Sequence, residues 1–125
     1  MTPLELVNSF MRAAAGRDYA TALPLLAKDV VYRNMPLPEV HGAAAVQETL
    51  ETLLGSTSAS EWVVLREVAE GDLVMNERID RFEVDGRWLE LPVAGVFEVR
   101  DGRIAAWRDY FDLPTITDQL AAPAS

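Results

Sequence analysis

The chain of 125 residues contains no cysteine. That absence removes thiol nucleophiles, zinc–thiolate sites and disulfide scaffolds together, and points to no particular redox compartment. There is one histidine, His41, so serine triads and the HExxH zinc motif lack a partner, and no phosphate-binding glycine loop is present. Acidic residues are plentiful, but none cluster with metal-ligand spacing, and no metal is expected. Positive charge is scarce: 11 Lys and Arg stand against 20 Asp and Glu, a net charge of −9. Such a balance repels phosphate backbones and anionic lipid, so neither nucleic acid nor membrane is an expected partner. No run approaches the roughly 18 apolar residues that span a bilayer, and Met1-Thr2-Pro3-Leu4-Glu5 lacks the basic start of a signal peptide. The expectation is a soluble cytoplasmic protein.

Half the residues are hydrophobic and a quarter are charged, which suits one globular domain over 1–125 that needs no covalent staple. Thr2 to Glu5 reads as a capping box, followed by Leu4, Val7, Phe10, Met11 and Ala14 at helical spacing up to Gly16. Asp18 caps a second helix to about Leu26, with Pro24 as a kink or early stop. Val30 to Asn34 is a short strand closed by Met35-Pro36-Leu37-Pro38, and Ala43 to Leu54 is a third helix. From Glu61 the period becomes two, over 61–70, 73–83, 87–100 and 103–112, separated by Gly71-Asp72, Asp85-Gly86 and Asp101-Gly102. The Asp-Gly pairs predict hairpins, and the tail after Leu113 predicts one short helix. Helices first and an antiparallel meander afterwards indicate an α+β domain, with a curved sheet packed on segregated helices around a cone-like interior.

Polar residues interrupt the apolar faces at specific places. Val74, Asn76, Arg78, Asp80 and Phe82 share one face of their strand, and Ala105, Trp107, Asp109 and Phe111 share one face of the last. Tyr32 and Asn34 share a face with Val30. A carboxylate among large apolar neighbours costs several kcal/mol unless it is paired or neutralised. Strand geometry alone leaves two readings of Arg78, Asp80 and Asp109 open: a structural ion pair or a functional cluster. Tyr32 and Asn34 alone read as a hydrogen-bonded strand end.

The segments Tyr32-Arg33-Asn34, Asn76-Glu77-Arg78-Ile79-Asp80-Arg81-Phe82 and Gly102-Arg103-Ile104-Ala105-Ala106-Trp107-Arg108-Asp109-Tyr110-Phe111-Asp112 together resemble the signature segments of the limonene-1,2-epoxide hydrolase family. Order and approximate spacing agree over nearly the whole chain. The interval between Asp80 and Asp109 is slightly shorter than in the best-known members. The resemblance implies a cone-shaped α+β fold shared with nuclear transport factor 2 and ketosteroid isomerase, with a curved, mixed, largely antiparallel sheet, and a cofactor-free enzyme. It implies Asp109 as base, Asp80 as acid, Arg78 as the link between them, and Tyr32 and Asn34 as further holders of the attacking water.

Those residue types suit the opening of an epoxide by water. A proton must leave the water and another must reach the departing oxygen, and two carboxyl groups sharing a buried site resist carrying charge together. A guanidinium fork donates to both. A covalent route would want a His to activate the second water, but His41 lies outside the cluster and is read as preceding or capping helix three. Met11, Ala14, Phe82, Val93 and Phe111 are expected to line an apolar pocket. The resemblance implies a small or medium lipophilic epoxide, of the limonene oxide or cycloalkene oxide type, hydrolysed in one step to a vicinal diol; the partners expected are that epoxide, water and a second copy of the chain as a homodimer. A ketosteroid-isomerase-like or polyketide-cyclase-like enzyme and a non-catalytic module for an apolar ligand are the alternatives.

Overall fold

Glu5 N–H donates to Thr2 Oγ1 at 3.1 Å and Thr2 N–H donates to Glu5 Oε1 at 2.9 Å, closing the predicted capping box. It starts helix α1 (Pro3–Ala15) in the computed structural model, which describes residues 1–122. Asp18 caps α2 (Tyr19–Ala22), a single turn followed by a 3-10 turn over Leu23–Leu25. The expected continuation to Leu26 is corrected: Pro24 lacks the N–H a longer helix needs, and Leu26 already opens strand β1 (Leu26–Asn34). Strand β2 (Val40–His41) has no signal in the sequence, since two residues give no periodicity. Helix α3 (Ala43–Leu54) follows as expected. His41 precedes α3 without capping it: Gly42 holds the N-cap position, and the imidazole lies 3.0 Å from Glu39 Oε2.

The meander comprises β3 (Ala59–Glu70), β4 (Leu73–Val84), β5 (Arg87–Arg100) and β6 (Arg103–Tyr110), followed by α4 (Leu113–Ala121). Asp85 and Gly86, and Asp101 and Gly102, all stand at positive φ, which a type I′ hairpin turn requires. Strand β6 stops at Tyr110 rather than 112 because Asp112 leaves the sheet to accept the Thr115 N–H at 3.2 Å and cap α4.

The six strands form one open sheet in the order β2-β1-β6-β5-β4-β3, antiparallel throughout except for the parallel pair β1 and β6. It is the expected mixed, largely antiparallel sheet. Helix α1 covers one end of its inner face, where Val7, Phe10, Val74, Phe97, Ile104 and Trp107 are buried. Each such side chain contributes about 1.5–3 kcal/mol on leaving water. The register shift opposite Glu98 and Val99 leaves Ala105 as an extra residue of β6, so Ile104, and not the expected Ala105, joins Trp107 and Asp109 on the inner face. The other end of that face is left to α3 and α4, which roof a cavity. Helix α4 is tied down by Gln119, whose side-chain amide accepts from Glu90 N–H at 2.9 Å and donates to Glu90 O at 2.7 Å.

Candidate active site

Alternation along β4 turns Asn76, Arg78 and Asp80 inward, and all three are buried. Arg78 is 0% exposed. Every N–H of its guanidinium has an acceptor. Nε donates to Asp80 Oδ1 at 3.0 Å and Nη2 to Asp80 Oδ2 at 3.1 Å. Across the sheet Nη2 donates to Asp109 Oδ2 at 2.9 Å and Nη1 to Asp109 Oδ1 at 3.2 Å. The remaining Nη1 proton goes to Asn76 Oδ1 at 2.9 Å. One cation therefore holds two carboxylates, each by both oxygens.

Asp109 arrives on β6, and the parallel pairing with β1 brings Asn34 opposite it and Tyr32 opposite Trp107. The Tyr32 hydroxyl accepts from Asn34 Nδ2 at 3.0 Å, with Asn34 Oδ1 at 3.2 Å. Trp107 Nε1–H donates to Asp109 Oδ1 at 2.9 Å, and its ring stacks on Tyr32 at 4.0 Å between centroids. All five polar residues singled out in the sequence thus meet in one place.

Burial pushes the Asp80 carboxyl up to about 6; Arg78 pulls against this, and the charge of Asp109 adds to the rise. Burial also holds the Tyr32 phenol above its ordinary value, reinforced by Asp109. For Arg78 burial acts against the charge, yet Asp109 and Asp80 together outweigh it and hold the guanidinium above its ordinary value. The site therefore combines a permanent cation with a carboxyl able to exchange a proton near neutrality.

Asp80, Asp109, Tyr32 and Asn34 face a cavity of about 270 Å³ whose wall is otherwise mostly apolar. Of the expected lining, Phe82, Val93 and Phe111 are on this wall. Met11 and Ala14 are not. They are buried between α1 and the sheet, behind the polar cluster, where Met11 Sδ accepts from Asn76 Nδ2 at 3.4 Å. The reason is that α1 covers the end of the inner face opposite the cavity. A more open hollow of about 710 Å³ between α1 and β3 is edged by Met11, Arg12, Glu61 and Arg66 and contains none of the five polar residues.

Sequence reasoning misses Trp107, Asn76 and Leu91 as residues of the site. The signal for the first two was present: both share a strand face with an inward acid, and a buried indole N–H needs an acceptor. The contributions of Leu113, Ile116 and Leu120 were not legible, because nothing in the tail says where α4 docks. Among the described residues, no three His, Asp or Glu side chains gather as a metal site, and no helix is long and apolar enough to cross a membrane.

Residues 1–122 match the family model described as limonene-1,2-epoxide hydrolase catalytic domain. The chain is 35% identical over 107 residues to the epoxide hydrolase EphG of Mycobacterium tuberculosis (strain ATCC 25618 / H37Rv), covering 86% of this chain and 71% of EphG. Its fold is similar to the solved structure of an M. tuberculosis LEH-like epoxide hydrolase, with TM-score 0.82 and 32% identity over 94% of this chain and 88% of that one. It is also similar to a structure described as a SnoaL-like polyketide cyclase from Shewanella putrefaciens CN-32, with TM-score 0.87 over 95% and 96% of the two chains. Identity there is 18%, so that likeness concerns the fold alone.

Proposed function

Because the chain belongs to the limonene-1,2-epoxide hydrolase family, we propose that it adds water to a small or medium lipophilic epoxide, of the limonene oxide or cycloalkene oxide type, giving a vicinal diol in one step without a cofactor. The observation that carries this reading is the pair Asp80 and Asp109, held by one guanidinium at the edge of a mostly apolar cavity. Asp109 accepts a proton from a water that Tyr32 and Asn34 also hold, and the water oxygen attacks one epoxide carbon. As that carbon–oxygen bond breaks, protonated Asp80 donates to the departing oxygen. The diol leaves Asp109 protonated and Asp80 ionised, and a proton transfer between them restores the site. Arg78 stabilises the single negative charge at whichever end holds it.

The size of the cavity supports the substrate class. At about 270 Å³ it lies just below the range of roughly 300–1,000 Å³ that suits drug-sized ligands, which favours a compact epoxide. The experiment is diol formation from limonene oxide, cyclohexene oxide and styrene oxide by purified protein, beside Asp109→Asn. Diol from the wild type and none from the variant supports the assignment. A folded wild type that makes no diol from any of the three sinks it, and directs attention to proton transfer or ligand binding.

We also propose a cytoplasmic homodimer joined through the outer face of the sheet. There Val68 and Met75 pair across β3 and β4 at 65% and 43% exposure. The pairs Arg66 with Glu77 and Arg108 with Glu98 supply both charge signs beside them, and a two-fold copy presents the same signs in return.

A further inference from the structure

The sheet register lays Asn76 of β4 opposite Gly95 of β5, and Gly95 opposite Asp109 of β6. Inward positions of β5 otherwise carry the buried side chains of Leu89, Leu91, Val93, Phe97 and Val99. Gly95 is a gap in that row. Its backbone does not require glycine, since its φ is not positive. Space does require it. A Cβ at this position would stand 2.4 Å from Arg78 Nη1, 2.7 Å from Asn76 Oδ1 and 3.0 Å from Asp109 Oδ1. The three nearest atoms are all ends of polar side chains, and none is backbone.

Neighbouring strands lie about 4.8 Å apart, so a β4 residue must cross the width of β5 to reach β6. Arg78 makes that crossing where β5 has no side chain. We propose that Gly95 is a positioning residue of the acid–base pair: its missing side chain leaves a trough across β5 that seats the guanidinium, and this lets an arginine of β4 hold a carboxylate of β6. The proposal rests on the epoxide-opening reading of Asp80 and Asp109 given above. A methyl group in the trough displaces Nη1, strips Asp109 of one donor, and leaves its charge acting more strongly on Asp80.

The test is Gly95→Ala beside the wild type, with kcat, KM and the pH profile of diol formation. A misplaced catalytic pair predicts a fall in kcat on the order of 100-fold, with KM changed less than about twofold because the apolar wall is untouched. The limb on which activity falls at high pH moves upward. A folded Gly95→Ala enzyme with wild-type kcat and pH profile overturns the proposal, even if it melts at a lower temperature, since only packing would then be affected. Gly95→Ala/Asn76→Ala vacates the far side of the trough, so the double variant should be more stable than Gly95→Ala and recover part of its kcat. If neither variant folds, the obstruction is something other than movable polar side chains and the proposal fails. A wild type without epoxide turnover would defeat the functional reading instead, and the stability order of the two variants would still judge the trough.

Discussion

The indole N–H of Trp107 and the Nη1 of Arg78 converge on one oxygen of Asp109, at 2.9 and 3.2 Å. The indole is itself fixed, stacked on Tyr32 at 4.0 Å and met edge-on by Phe10 at 5.1 Å. The carboxylate plane is therefore set by groups that are themselves held in place, which leaves Asp109 oriented without any bound ligand. Trp107→Phe keeps a ring on Tyr32 and deletes the donor. We expect kcat to fall about tenfold, with a loss of about 1–3 kcal/mol in stability, read by steady-state kinetics and denaturant unfolding. Unchanged kcat would mean that Arg78 alone orients the base.

Asp80→Asn and Asp109→Asn should each lower turnover by about 10²–10⁴-fold while the fold persists, because Arg78 keeps one carboxylate in either case. The double variant behaves differently. It leaves a guanidinium at 0% exposure with no anion, and should lose about 3–5 kcal/mol against the wild type. Urea titration of the three variants decides the matter: a double variant as stable as either single one contradicts a shared cation.

Asp80 must be protonated to serve as acid, and burial places its titration at about 6. Activity on the free enzyme, kcat/KM, is therefore expected to be highest below pH 6 on this limb and to decline roughly tenfold per pH unit above it. For stability the sign is the same. The folded value lies above the ordinary 3.8, so the contribution of Asp80 is complete below 3.8 and is lost as pH rises through about 6. Profiles from pH 5 to 8 check the first statement, and a flattened stability profile in Asp80→Asn checks the second.

Leu91 lies opposite Asp80 in the sheet register and faces the cavity. Leu91→Phe should narrow the space beside the acid without touching either carboxylate. The ratio of kcat/KM for cyclohexene oxide over limonene oxide is expected to rise about tenfold. A constant ratio would place the substrate elsewhere in the cavity.

Met75→Glu should convert a dimer into monomers by putting a charge on the exposed outer face beside Val68, with the inner face unaltered. Light scattering reads the outcome. A monomeric wild type would refute the proposed interface.

Most of the architecture was legible because it is local. Two Asp-Gly pairs announced their hairpins, Thr2 and Glu5 their capping box, and alternation along 73–83 put Asn76, Arg78 and Asp80 on one side before any partner strand was known. Non-local packing was not legible. Met11 and Ala14 carry the right spacing for an inward helix face, but spacing does not say which end of the sheet a helix covers. The register that puts Gly95 between Asn76 and Asp109 is likewise a relation among three strands. A glycine inside an otherwise apolar strand was the available sign that something approaches closely.

The parallel pairing of β1 with β6 has a temporal consequence. Tyr32 and Asn34 lie in the first third of the chain and Asp109 near its end, so bringing them together takes a contact that spans the whole meander between them. A chain emerging from the ribosome holds one edge of β1 unpaired until β6 follows, and long-range parallel closure of this kind is slow. With Asp109 as the proposed base, a folding intermediate that lacks the final strand makes no diol, and the recovery of diol formation on refolding is expected to report the joining of the two ends of the fold.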